Sequence, residues 1–146
     1  MASTFCLTPI YETKLVRYGS IKTRPSLDSS DRAREACVQY LGDSPNERFV
    51  VVILDTKLRV IGMSVVTVGT LDASLVHPRE AFRPAILLNA SCVIFCHNHP
   101  SGDLTPSRED RSVSDRLTRA GELLGIRVLD FLICNDIEAK SLAEMP

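Results

Sequence analysis

Residues 92–110, CVIFCHNHPSGDLTPSRED, join an apolar run to a polar loop whose side chains can bind a metal ion. His97 and His99 are two residues apart, so both imidazoles point to the same face if the strand continues through them. Asp110 follows at the start of a segment with helical periodicity. Two imidazoles and one carboxylate leave one position of a tetrahedral ion open, as in catalytic zinc sites. The pattern predicts one Zn²⁺ per chain, bound by His97, His99 and Asp110.

A catalytic zinc site also needs a base and a group that stabilises an oxyanion. Ser107 is three residues before Asp110, so the two are neighbours on a helix and the hydroxyl can donate a hydrogen bond beside the metal. Glu47 begins the apolar run 47–55 at the margin of the predicted core, which makes it the best-placed carboxylate for the base. We therefore expect Glu47 and Ser107 to be the catalytic residues.

Each of these residues also has a purely structural interpretation. A single His-x-His pair is a weak signal, and Ser107 with Asp110 forms a capping box of Ser at the N-cap and an acid three residues later. Glu47 is equally compatible with a charged strand end. His77, directly before Pro78, is more typical of a helix start than of a metal ligand. The combination of a buried strand end, a tight turn and a Ser/Asp pair favours the metal site.

The elements that position these residues follow from hydrophobic periodicity and from capping signals. Their order, β-α-β-β-α-β-α-β, predicts a single α/β domain over residues 1–146, a mixed sheet with flanking helices. Pro84 lies inside the second helix and predicts a kink or a break there. The predicted strands are 10–18, 47–55, 58–70, 91–96 and 126–134, and the predicted helices are 31–41, 78–89 and 107–124. The last helix should bury one stripe, formed by Val113, Leu117, Ala120 and Leu124.

Composition restricts the class of protein. With 45% hydrophobic and 24% charged residues, the chain is typical of globular domains. The net charge of −1 argues against binding nucleic acid by bulk electrostatics, although it allows a local basic patch. No 18-residue apolar run and no signal-peptide core are present, so we expect a cytoplasmic protein that does not bind membranes. Four cysteines within apolar runs are expected to be buried free thiols: Cys37, Cys92, Cys96 and Cys134.

Several blocks of the sequence resemble a known family. The His-x-His-Pro sequence at 97–100, followed by Ser-x-x-Asp at 107–110, is the motif of JAMM (MPN+) metalloproteases. The blocks GTLDASLVHPREAFRPAI and LLGIRVLDFLI, together with HNHPSGDLTPSRED, resemble the RadC branch of that family. The similarity covers about residues 27–134, which is most of the chain.

The resemblance implies a JAB/MPN-like (cytidine-deaminase-like) fold with one zinc ion. It implies that His97, His99 and Asp110 are the ligands, that Glu47 activates the water and that Ser107 stabilises the oxyanion. Relatives in the wider family hydrolyse peptide or isopeptide bonds, so a peptide or protein substrate is expected.

The chain departs from the RadC pattern in three places. RadC proteins commonly carry an N-terminal helix-hairpin-helix segment, and only residues 1–26 precede the matching region, so we expect none here. Leu104 stands where the loop often has Pro. The tail CNDIEAKSLAEMP lacks the aromatic ending that we would expect.

Two other functions stay open. A DNA-repair protein of RadC type, acting as a metal-dependent nuclease or a DNA-binding accessory, could guide a phosphate chain with arginines of the last helix. Acidic residues interleave these arginines, so a solvated helix face is the simpler interpretation. The third alternative is a non-catalytic interaction module, against which the complete ligand set argues. An exposed edge strand would also allow a homodimer. The arginines concerned are Arg108, Arg111, Arg116 and Arg119.

Overall fold

The computed structural model describes residues 11, 12, 16, 19, 25–72 and 75–146. The strand predicted at 10–18 lies, apart from isolated positions, outside the described residues. The elements are α1 (Ser30–Leu41), β1 (Arg48–Leu54), β2 (Val60–Val68), α2 (Pro78–Leu87), β3 (Cys92–Asn98), α3 (Arg108–Leu124), β4 (Arg127–Cys134) and β5 (Ala139–Ser141), followed by a 3₁₀ turn at Leu142–Glu144.

The five strands form one mixed sheet in the order β2-β1-β3-β4-β5. β1 pairs antiparallel with both β2 and β3, and β5 pairs antiparallel with β4. β3 and β4 are parallel, so the chain between them must cross over the sheet, and α3 supplies that connection. Phe49 of β1 pairs with His97 of β3, which places the start of β1 beside the end of β3. The predicted mixed α/β domain is confirmed.

Both faces of the sheet are covered by helices. α1 packs on one face, where it buries Ala33, Ala36, Cys37 and Leu41. α2 and α3 cover the other face, where an aromatic cluster fills the centre of the core. β1 and β3 are buried on both sides, which explains why their sequences are continuously apolar. The aromatic cluster consists of Phe49, Phe82, Phe95 and Phe131.

Three local predictions need correction. β3 does not end at residue 96 but continues through Asn98, so His97 belongs to the strand itself. Of the two outcomes predicted for Pro84, a kink or a break, the break does not occur, because α2 runs on to Leu87. The tail contains β5, which was not predicted, and the following Leu142 is buried in the core. A three-residue strand carries too little periodicity to be recognised from sequence.

The buried stripe of α3 also differs from the prediction at its end. Val113 and Leu117 are fully buried, but Leu124 is 46% exposed and Gly121 faces the core instead. A Cβ atom on Gly121 would lie 2.5 Å from the carbonyl oxygen of Ile126. The turn after the helix approaches Gly121 so closely here that a side chain at this position would force the backbone to shift.

The thiols follow the prediction, because Cys37, Cys92, Cys96 and Cys134 are all buried and free. Within the part of the chain that the structure describes, no helix combines the length and the apolar character needed to cross a bilayer.

Candidate metal centre

The two histidines lie where β3 leaves the core. His97 is 2% exposed and its ring stands edge-on to Phe49, with centroids 6.3 Å apart. The ring of His99 lies 4.9 Å from that of His97 and nearly perpendicular to it. Gly102 then turns the chain with a φ of +87° and donates its N–H to the carbonyl of His99. This conformation favours glycine and forms the predicted tight turn.

Asp110 reaches the histidines from the first turn of α3. It is fully buried, and its Oδ1 lies 3.1 Å from Nδ1 of His97. Its Oδ2 lies 3.4 Å from Nε2 of His99. Oδ2 also accepts hydrogen bonds from the backbone N–H of Ser107 at 2.7 Å and from its hydroxyl at 2.8 Å. The capping box predicted for Ser107 and Asp110 therefore exists, and the same carboxylate also joins the histidines.

The geometry of this trio fits a divalent metal ion. One ligand atom from each of His97, His99 and Asp110 lies within 4.8 Å of the other two. Nδ1 of His99 lies 2.7 Å from the carbonyl of Asp103 and donates its proton to it, so in neutral His99 the lone pair is on Nε2.

One ring nitrogen of His97 lacks a hydrogen-bond partner. Among the described residues, the buried Nε2 of His97 has no hydrogen-bond partner. Buried polar atoms are rarely left unpaired, and an ion at this position would satisfy it. Oε2 of Glu47 lies 3.9 Å from this nitrogen, beyond hydrogen-bond distance. The unpaired nitrogen supports the same assignment as the trio itself.

Glu47 lies immediately before β1, and its side chain is 30% exposed. Its Oε2 accepts a hydrogen bond of 3.0 Å from the backbone N–H of Leu71, which holds the carboxylate beside His97. The site opens into a cleft of about 510 Å³. The cleft is lined by Glu47, Thr70, Leu71, Asp72, His97, His99, Ser101, Ser107 and Glu109.

Ser107 lines the cleft, but its hydroxyl is engaged. It donates to Oδ2 of Asp110 and accepts from the backbone N–H of the same residue at 3.0 Å. To donate to a substrate oxyanion, the hydroxyl proton would have to turn away from Asp110. The structure thus places Ser107 at the predicted site in a helix-capping arrangement.

Hydrogen bonds within the trio shift the pKa values of Asp110 and His99. Burial raises the pKa of Asp110, but hydrogen bonds with His97, His99 and Ser107 outweigh it and hold that pKa well below its usual range. The hydrogen bond with Asp110 raises the pKa of His99, against the opposing effect of burial, and the carbonyl of Asp103 adds to the rise. A metal ion and a proton would therefore compete for His99.

Two contacts within the site were not predicted from the sequence. The carbonyl of Asp103 orients His99, and the buried amide of Asn98 holds the segment around Glu47. A carbonyl contact has no signature in a sequence. Asn98 does have a sequence signature, because a polar residue between two histidines at a buried strand end needs hydrogen-bond partners.

His77 and the arginines of α3, the other side chains considered as ligands or substrate contacts, lie outside the trio. His77 is the N-cap of α2 and is not among the ligand-bearing residues. Arg111 donates to the carbonyls of Met145 and Pro146, and Arg116 donates to the carbonyl of Val76. These two arginines thus bind backbone carbonyls of the chain itself, whereas Arg108 and Arg119 are exposed.

Comparison with known proteins gives a consistent family assignment. The chain is 53% identical over 107 residues to a "UPF0758 protein" of Thermotoga maritima, covering 73% of this chain and 48% of the relative. It is 46% identical over 121 residues to a "UPF0758 protein" of Desulfitobacterium hafniense, covering 83% and 53%. The chain spans about half the length of these curated relatives. The sequence model of the RadC-like JAB domain matches residues 27–145, including the tail that lacks the expected aromatic ending. The chain therefore belongs to the RadC-like JAB domain family.

Proposed function

We propose that this domain is a zinc-dependent metallohydrolase of the JAMM type that hydrolyses a peptide or isopeptide bond. One observation carries the proposal: His97, His99 and Asp110 are gathered in one cluster, with the Glu47 carboxylate 3.9 Å from the unpaired nitrogen of His97. The four buried free thiols are typical of a reducing compartment, so we place its action in the cytoplasm.

The chain's own residues divide the work of amide hydrolysis. When bound, zinc lowers the pKa of a coordinated water and polarises the substrate carbonyl. Glu47, held by the N–H of Leu71, accepts a proton from the attacking water and passes it to the leaving amine. Ser107 donates to the developing oxyanion once its hydroxyl turns from Asp110.

The charge of the cleft favours a polypeptide over a nucleic acid. Three acidic side chains line it, namely Glu47, Asp72 and Glu109, and none of its described lining residues is Lys or Arg. A phosphodiester chain would meet like charge here, and the Coulomb repulsion would weaken its binding. An amide substrate carries no such obligatory negative charge.

The Glu47→Gln variant tests the proposal. It should keep its zinc, because Glu47 is not one of the ligands, and should lose about 10²–10⁴-fold in turnover of fluorescence-quenched peptide pools and lysine isopeptide substrates. Glu122→Gln, the same change on the exposed side of α3, is the matched control and should behave as wild type. Undiminished hydrolysis by Glu47→Gln would remove Glu47 from the mechanism.

A DNA-processing role is the second candidate, and the exposed Arg108 and Arg119 are what favours it. Fluorescence anisotropy with single- and double-stranded DNA between low and physiological salt tests this role. Binding that weakens steeply with salt and is reduced in an Arg108→Ala/Arg119→Ala variant would support it. No binding at low salt would exclude it for this domain.

A further inference from the structure

Asn98, the residue between the two histidines, points to the face of β3 opposite the two imidazoles. It is 1% exposed, and its amide is fully engaged. Nδ2 donates to the carbonyl of Ser44 at 3.2 Å and to that of Asn46 at 3.1 Å, while Oδ1 accepts the N–H of Arg48 at 2.7 Å. A buried amide with all these contacts permits little displacement of the groups it binds.

These contacts lie on both sides of Glu47. Asn46 and Arg48 are its chain neighbours, so Asn98 holds the backbone immediately before and after the proposed base. Beyond Glu47 the hydrogen bonds continue, because its carbonyl accepts the N–H of Gly69 at 2.8 Å and its carboxylate accepts the N–H of Leu71 at 3.0 Å. A chain of hydrogen bonds thus runs from β3 through Glu47 to the loop after β2.

The arrangement replaces ordinary sheet pairing. The ladder between β1 and β3 ends at the pair Phe49 and His97, and the next N–H, that of Arg48, goes to the Asn98 side chain. A side-chain clamp allows the chain to leave the sheet at Glu47 and still keep a defined position. Displacing a catalytic group by about 1 Å can cost 10²-fold in rate.

We propose that Asn98 is a positioning residue for Glu47, fixing the backbone on both sides of it so that the carboxylate stays beside the ligand trio. The catalytic meaning rests on the proposed function, whereas the hydrogen bonds can be tested in the metal-free protein. The His-Asn-His sequence then serves both parts of the site, with the histidines facing the metal position and the asparagine holding the base.

Amide hydrogen exchange, measured by NMR on the metal-free protein, tests the proposal. In Asn98→Ala the N–H groups of both Arg48 and Leu71 should exchange about tenfold faster, because Leu71 loses the acceptor that Glu47 provides. Glu47→Ala sets the reference for Leu71, and the double variant should exchange there no faster than Glu47→Ala alone. Faster exchange at Arg48 with unchanged exchange at Leu71 would overturn the proposal.

Controls separate positioning from loss of stability. Asp55→Ala removes hydrogen bonds to Lys57 and Arg59 beyond the far end of β1 and should leave Leu71 unchanged. If Asn98→Ala does not fold, Asn98→Asp keeps the acceptor for Arg48 and replaces the amide donor to the two carbonyls by a carboxylate oxygen, which cannot bind them. Its Leu71 exchange should then be faster than in wild type, and unchanged exchange would again count against the proposal.

Turnover gives an independent readout. With the peptide pools used for Glu47→Gln, Asn98→Ala should lose about 100-fold in kcat while KM and zinc content stay near wild type. A wild-type protein that hydrolyses nothing would refute the proposed function, and the exchange at Leu71 would still decide whether Asn98 positions Glu47.

Discussion

Nδ1 of His97 lies 3.1 Å from Oδ1 of Asp110, although the two residues belong to a strand and to a helix. The other oxygen of Asp110 accepts two hydrogen bonds from Ser107 at the helix N-terminus. One carboxylate thus both caps α3 and joins the imidazoles. Capping and metal binding are consequently not competing interpretations of the Ser-x-x-Asp sequence in this chain.

Removing one imidazole should weaken metal binding strongly. We expect His99→Ala to bind zinc more than about 100-fold more weakly, because loss of even the outer partners of zinc ligands costs 10–100-fold. His77→Ala, at the N-cap of α2, should retain full zinc content. Metal analysis of the purified variants checks this, and equal zinc content in both would exclude His99 as a ligand.

Ser107→Ala should affect both stability and turnover. Loss of an N-cap hydroxyl costs about 1 kcal/mol in the free energy of unfolding. Ser29→Ala, which removes the hydroxyl that caps α1 by accepting the N–H of Arg32, provides a matched loss of stability away from the cleft. Denaturant unfolding should give similar losses for the two variants, and only Ser107→Ala should lower kcat. Equal kcat in both would leave Ser107 as a cap alone.

Zinc affinity should rise with pH. In the metal-free protein the pKa of His99 is raised, so its protonated form contributes stability that is fully present below about pH 6.5 and is lost as pH rises through the raised value. Zinc needs the neutral imidazole and must displace that proton. Calorimetric titration in buffers of different ionisation heat should show proton release near pH 6.5 that declines at higher pH. Release that does not change with pH would contradict this.

Gly121→Ala should destabilise the fold. In an exposed helix this change stabilises by about 1 kcal/mol, but here the new Cβ would lie 2.5 Å from the carbonyl oxygen of Ile126. We expect a net loss of about 1–3 kcal/mol in the free energy of unfolding. Ser112→Ala, on the exposed side of the same helix, should change it by less than about 0.5 kcal/mol. A more stable Gly121→Ala protein would show that the turn after α3 can shift to accommodate the Cβ atom.

The parts of the site that follow local rules were predictable from the sequence. Strand alternation places His97 and His99 together, and the N-cap sequence places Asp110 in the first turn of α3. β1, β3 and α3 were recognised within a few residues because their periodicity is strong. The roles of Glu47 and Ser107 stay predictions until turnover is measured.

The rest depends on contacts between distant segments. Asn98 binds the N–H of Arg48, which is fifty positions away in the chain, so only the β1–β3 register reveals it. Leu124 has helical spacing for burial, yet the close approach of α3 at Gly121 decides which residue faces the core. β5 forms because it pairs with the edge of β4. Its three residues alone do not indicate a strand.

Pairing between Phe49 and His97 has a consequence for how this domain must fold. Residues 97, 98 and 99 alternate between the two sides of β3, so a slip of one position would turn both imidazoles toward α1 and the asparagine toward the cleft. Such a misregistered chain could keep a nearly apolar interior, because the neighbouring positions of β3 are apolar on both sides. Correct alignment of two strands is thus itself a condition for assembling the cluster of His97, His99 and Asp110, and a misaligned minority would be compact but without it.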